Sequence, residues 1–189
     1  MRKIYFISLV LLSIIFISAC SSSRTGHQIA TSNVVAQQQE AQASVGIERG
    51  QLAPDFVVTT IEGNQVRLGQ FKEENKPVLL YFWATWCPFC KRDFSIVKNV
   101  YPKYADKVIF LAIDLDTSET AQYIEQYKNT MGMEGIDFAP GNAKVLSDYQ
   151  ITHTTTKYAV GSNGVILYKG SGVFDEQQWE TLFNALVSS

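Results

Sequence analysis

Cysteine is scarce in this sequence, three among 189 residues, and histidine is scarcer still at two. Three cysteines exclude the disulfide framework of a small secreted scaffold, which needs four or more at regular spacing. Charge is balanced, with 16 Lys and Arg against 18 Asp and Glu, and no long run of either sign occurs. That balance argues against a nucleic-acid partner. The longest apolar run, Ile4 to Ala19, falls short of the roughly 20 residues a membrane-spanning helix requires. No internal repeat is visible.

What is present begins with that short run. Arg2 and Lys3 precede it and small residues close it, the pattern of a secretory signal. Its end, Ile17-Ser18-Ala19-Cys20, resembles a bacterial lipobox. The resemblance implies that residues 1–19 are a lipoprotein signal peptide and that Cys20, carrying a diacylglycerol, becomes the first mature residue. The alternative is a plain signal with a chance cysteine at its boundary. Ser21 follows in place of the aspartate associated with inner-membrane retention, a weak pointer that leaves the choice of membrane open. Residues 20–50 hold no aromatic side chain and are rich in Ser, Thr, Gln and Ala, so they read as a lipidated flexible tether. Residues 33–43 could form a transient helix within it, and His27 is a solvated tether residue.

Residues 51–189 are long enough for one domain with a real core. Residues 54–68 alternate around Glu62-Gly63-Asn64 and predict a β-hairpin. Residues 77–84 are an unbroken apolar run, as expected of a strand buried on both faces, and residues 107–114 predict a second buried strand. Pro88 to about Lys103 predicts a helix with Phe94, Val97 and Tyr101 on one face. Residues 118–129 predict a second helix capped by Ser118, and 143–149 a short one. The turn Gly161-Ser162-Asn163-Gly164 joins two further strands, and Asp175 caps a last helix to about Leu186. Alternation followed by an antiparallel hairpin implies an α/β fold with a mixed central sheet flanked by helices.

With Cys20 assigned to lipid, Cys87 and Cys90 remain, spaced C-x-x-C. Such a pair can be half a zinc site, a haem attachment or a redox couple. Zinc would need two more ligands, and only His153 remains in the domain. Haem attachment needs a histidine where Lys91 stands. A redox couple fits the setting, because the motif lies where a buried strand hands over to a helix. Unpaired N–H groups at that helix start stabilise a thiolate on Cys87. One turn of helix brings the two Cα atoms within disulfide reach. Pro88 is tolerated at the first helical position.

Ala53-Pro54-Asp55-Phe56, the stretch 76–94 around Trp86-Cys87-Pro88-Phe89-Cys90, and residues 163–170 together resemble the TlpA/ResA-type branch of the thioredoxin superfamily. The resemblance covers the domain from about Gln51. It implies a thioredoxin-like fold with an added N-terminal β-hairpin and a membrane-tethered, extracytoplasmic thiol–disulfide oxidoreductase. Cys87 would be the attacking and Cys90 the resolving cysteine. It further implies no cofactor, cysteine-containing secreted proteins as substrates, a membrane electron donor or acceptor, and a monomer. Trp86, Pro88 and Phe89 would contact the partner, while Trp83 packs in the core.

Three positions depart from the family. Thr155 falls where a cis-proline faces the cysteines, between Thr154 and Thr156. A cis bond before threonine costs about 3–4 kcal/mol, so a trans Thr154–Thr155 peptide is expected. The Thr155 hydroxyl and N–H are expected to add a donor beside the sulfurs that a proline lacks, and to slow release of mixed disulfides. Ser95 replaces a helix-kinking proline, which predicts a straighter helix. Tyr81 replaces the buried acid of thioredoxins, and Asp93, one turn after Cys90, either serves as proton acceptor for the resolving thiol or is a solvated carboxylate. His153 reads as a surface residue that could approach the site.

Direction is open, since reduction fits the TlpA/ResA resemblance whereas a proline directly after the first cysteine resembles the oxidising DsbA motif. The alternatives are a peroxidase, since the same Ala-Pro-Asp-Phe opens many peroxiredoxins although Thr85 is two rather than three residues before Cys87, and a dimer binding zinc or an iron–sulfur cluster through the cysteines.

Overall fold

The computed structural model of the chain describes residues 43–189. The expected signal peptide, the expected lipidation site Cys20, His27 and most of the expected tether lie outside the described residues.

The hairpin is present as β1 (Val57–Thr59) and β2 (Gln65–Arg67), antiparallel with Val58 opposite Val66. Gly63 takes a positive φ of 84° in its turn, a conformation that needs no Cβ. A short helix that periodicity does not announce, α1 (Leu68–Glu73), follows at once. The Gln70 side chain accepts the Arg67 N–H at its start, and Leu68 and Phe71 are buried. Six residues are too few for a helical pattern to emerge from sequence.

Five strands form the main sheet, in the order β5-β4-β3-β6-β7. β3 (Val78–Trp83) is central, buried at every position, parallel to β4 (Ile109–Asp114) and antiparallel to β6 (Thr156–Val160). β7 (Ile166–Gly170) pairs with β6 as the expected hairpin. The far edge, β5 (Asp137–Ala139), is parallel to β4 and was not expected. Its three residues carry no readable alternation, and only the pairing with β4 defines them.

Strand periodicity splits β3 between two cores. Leu79, Tyr81 and Trp83 face the long helix α2 (Pro88–Val100) and the last helix α5 (Glu176–Val187), packing with Phe94, Val97, Trp179 and Phe183. Val78, Leu80 and Phe82 face the hairpin, α1 and α4 (Ala143–Asp148), packing with Val58, Phe71, Val145 and Tyr149. The sheet is therefore covered on both faces.

α2 runs unbroken from Pro88 to Val100 and continues as a short 3-10 turn to Lys103. Ser95, in the proline's place, donates its hydroxyl to the Arg92 carbonyl without interrupting the helix. The helix after β4, α3 (Ala121–Met131), starts later than expected. Thr120 is its cap, accepting the Tyr123 N–H, whereas the Ser118 hydroxyl is drawn to Asp116 at 2.6 Å. Asp175 caps α5 as expected.

Candidate active site

β3 ends at Trp83 and α2 begins at Pro88, so the four residues between them must reverse the chain above the sheet edge. The Cys87 N–H donates to the Ala84 carbonyl at 3.2 Å and the Leu115 N–H to the Trp83 carbonyl at 2.8 Å. Cys87 then serves as the N-cap of α2, its Sγ accepting the Cys90 N–H at 3.0 Å. Cys87 and Cys90 are joined as a disulfide with Cα atoms 5.3 Å apart. The N–H that reaches Sγ in the disulfide is placed to stabilise a thiolate there after reduction.

The pair is shielded, Cys87 keeping 2% of its surface and Cys90 none. On either side of Cys87, Trp86 and Phe89 are 60% and 63% exposed. Two large aromatic side chains are thus left in solvent beside a nearly covered disulfide. Trp83, by contrast, is fully buried in the core.

One helical turn after Cys90, Asp93 belongs to a group of polar side chains with no solvent exposure. Asp93 is fully buried, which disposes of its reading as a solvated helix carboxylate. Its Oδ2 accepts the Tyr81 hydroxyl at 2.9 Å and the Lys157 ammonium at 2.8 Å, and its Oδ1 accepts the Phe174 N–H at 2.8 Å. Three donors and no acceptor meet it, the complement of an ionised carboxylate. Burial, reinforced by Asp93, holds the Tyr81 hydroxyl well above its ordinary range, so it remains a donor. Lys157 is the residue that sequence reading missed. Tyr81 and Lys157 face each other in the β3–β6 register, so both side chains point to the α2–α5 face. A lysine inside an otherwise inward-facing strand, two residues before buried Ala159, was the available signal.

The threonine loop reaches this group through the same lysine. No cis peptide occurs among the described residues, so the Thr154–Thr155 bond is trans as expected. Thr155 is buried and adopts φ 62°, a left-handed conformation that a β-branched residue rarely takes. Its hydroxyl corrects the expectation of a free donor beside the sulfurs. It donates to the Thr154 carbonyl at 2.5 Å and accepts the Gly172 N–H at 3.0 Å, so both of its roles are filled within the loop. Thr154 is half-buried, and His153 is exposed with its Nδ1 2.8 Å from Thr152 Oγ1.

A second set of acids supports the other end of the motif, and it too escaped the sequence reading. Glu119 accepts both the Thr85 N–H, at 3.2 Å, and the Thr85 hydroxyl. Asp116 accepts the Trp86 indole N–H at 2.9 Å. Asp114, fully buried at the end of β4, accepts the Asp116 N–H at 2.8 Å. Burial, with the Glu119 carboxyl adding to it, pushes Asp114 up to about 8. Among the described residues no group of three or more His, Cys, Asp or Glu is arranged to hold a metal ion.

A buried strand, a C-x-x-C disulfide capping the following helix and a mixed sheet covered on both faces define a thioredoxin-like thiol–disulfide oxidoreductase. The chain belongs to the AhpC/TSA family, whose model matches residues 49–178. It is 31% identical over 137 residues to the thiol-disulfide oxidoreductase ResA of Bacillus thuringiensis subsp. konkukian, covering 71% of this chain and 76% of that protein. It is 29% identical to the thioredoxin-like protein YneN of Bacillus subtilis, covering 72% and 79% of the two chains. Among solved structures it resembles a putative thiol:disulfide interchange protein DsbE from Chlorobium tepidum, with a TM-score of 0.65 and 23% identity over 75% of this chain and 99% of that one.

Proposed function

We propose that this oxidoreductase works outside the cytoplasm, tethered to a bacterial membrane through lipid on Cys20, and reduces disulfides in cysteine-containing secreted proteins. The observation that carries the exchange chemistry is the Cys87–Cys90 disulfide capping α2 with a buried carboxylate one turn below. Cys87 attacks the partner disulfide as a thiolate, and Cys90 resolves the mixed disulfide. A membrane dithiol donor then restores the reduced pair. The molecule acts as a monomer, with Trp86, Pro88, Phe89, Thr154 and Thr155 meeting the partner chain.

Support for the reducing direction comes from the surroundings of Cys87. Among the described residues, Cys90 supplies the one hydrogen bond on its sulfur, and no cation pairs with it. A pair whose thiolate gains little beyond the helix terminus keeps a low potential, whereas strong thiolate stabilisation makes an oxidant. Among the described residues no helix is long and apolar enough to cross a membrane; the reading of a lipid anchor rests on the lipobox-like Ile17-Ser18-Ala19-Cys20.

Equilibrium titration of the pair against a glutathione or dithiothreitol buffer tests the direction. A potential near thioredoxin's, about −270 mV, is expected, and one near about −120 mV would make the protein an oxidase. Robust hydrogen peroxide turnover would replace the reading with a peroxidase. Fatty-acid labelling of the full chain in cells, abolished by Cys20→Ser, tests the anchor.

A further inference from the structure

Lys157 joins Asp93, one helical turn after Cys90 on α2, to the Thr155 loop. Its ammonium has no solvent exposure and donates to Asp93 Oδ2 at 2.8 Å, to the Thr155 carbonyl at 3.1 Å and to the Gly172 carbonyl at 2.6 Å. Three acceptors match the three N–H bonds of a charged ammonium; a neutral amine has only two. The rings of Phe174, Tyr81 and Trp179 lie 4.5, 4.9 and 5.1 Å from Nζ, offering their electron-rich faces to the same charge. The titratable groups facing it are Asp93 from α2 and Tyr81 from β3; the remaining neighbours are carbonyls and rings.

We propose that Lys157 is a positioning residue for thiol–disulfide exchange: its ammonium keeps the Asp93 carboxylate in the charged form that takes the Cys90 proton, and ties that carboxylate to the Thr155 loop. In the resolving step the proton on Cys90 Sγ passes to Asp93. The freed electron pair forms the bond to Cys87 Sγ, and the bond between Cys87 and the partner sulfur breaks. The partner leaves as a thiolate and takes a proton from water. Two electrons have then moved from the dithiol to the partner disulfide, and Asp93 later returns its proton to solvent. A buried carboxylate without a counter-ion binds a proton more readily, so it would cease to be an acceptor at neutral pH. Burial pulls the Lys157 ammonium below its ordinary value while Asp93 opposes that pull, and the three carbonyl and carboxylate acceptors agree with the charged form. The step runs in either direction of exchange, so the inference stands apart from the assignment of a reductase; it rests on Asp93 as the acceptor.

The test uses the reduced protein and dithiodipyridine, which releases one thiopyridone when Cys87 attacks and a second when Cys90 resolves. In Lys157→Met the pH midpoint of the second release should move upward by about one unit or more, with the first release unmoved. In Asp93→Asn the second release should lose that pH dependence, and adding Lys157→Met should change it no further. A second-release midpoint unchanged in Lys157→Met, with Asp93→Asn altered, overturns the role of Lys157. No change in Asp93→Asn overturns the acceptor and the inference with it. A lysine that served the fold alone would slow both releases together. Should Lys157→Met not fold, nitrogen NMR of the wild-type Lys157 and carbon NMR of Asp93 decide. The pair must titrate at different pH in the disulfide and dithiol forms, and identical titrations overturn the proposal.

Discussion

On the α2 side of the cysteine motif a buried acid meets a cation; on the β4 side a buried acid meets another acid. Asp93 is neutralised by Lys157, and both are fully buried. Asp114 is equally buried, but its neighbour is Glu119, and a proton does the neutralising. The first arrangement holds charge in place beside Cys90. The second anchors the backbone and side chains of Thr85 and Trp86 through Glu119 and Asp116. Two flanks of one short motif thus respond to pH with opposite sign. Asp114 has a raised value, so between about 3.8 and about 8 the native state holds a proton that the unfolded chain has released. Its contribution is complete below that window and is lost as pH rises through about 8. Lys157 has a lowered value, so the unfolded chain holds the extra proton and stability rises with pH towards the ordinary 10.5.

The ion pair gives the largest expected effect. Asp93→Leu would strand the Lys157 ammonium in the core and should cost about 3–5 kcal/mol in unfolding free energy, read from urea titration of the oxidised protein. Asp93→Leu combined with Lys157→Met should recover most of that loss, because replacing both charges by apolar groups is close to neutral. A single-variant loss under about 1 kcal/mol would show that the pair is hydrated and that the contrast between the flanks is false.

On the acidic flank, Asp114→Asn keeps an oxygen for the Asp116 N–H and removes the titration. The variant should gain about 1 kcal/mol or more over the wild type at about pH 9 relative to about pH 3, below the window, with the difference growing as pH rises between the two. Equal gains at both pH values would mean that the Asp114–Glu119 contact, and not ionisation, governs the difference.

The two flanks were not equally legible in the sequence. The central strand, the long helix and the C-x-x-C junction could be read, because an unbroken apolar run and a capped helix are local patterns. Asp93 was legible as a candidate because it lies one helical turn after Cys90. Lys157 and Asp114 were not, since each owes its role to a neighbour far along the chain: Asp93 is 64 residues from Lys157, and Glu119 binds Thr85 across 34. A lysine in a strand reads as an edge residue until the register places it opposite Tyr81 in the centre of a sheet. The short elements α1 and β5 were missed for a related reason, each being too brief to show a period and defined by packing or pairing alone. The strain at Thr155 is a backbone property, and composition carries no sign of it.

The smallest effects sharpen the comparison through one hydrogen bond on each flank. Tyr81→Phe removes the hydroxyl that Asp93 Oδ2 accepts in the core, with the ring's packing against Phe94 and Phe110 preserved. Trp86→Phe removes the indole N–H that Asp116 accepts at the surface. The bonds have the same length, 2.9 Å, and each joins a neutral donor to a carboxylate. They differ in burial and in the Lys157 ammonium that Asp93 Oδ2 also accepts. Water can replace the lost donor at Asp116, whereas nothing can replace it at Asp93, so Tyr81→Phe should cost about 1 kcal/mol or more and Trp86→Phe no more than a few tenths, roughly. Thermal unfolding of both variants at neutral pH measures the difference. Equal losses would mean that water reaches Asp93 as freely as it reaches Asp116, and the distinction between the dry Asp93 site and the hydrated Asp116 site would fail at its smallest scale.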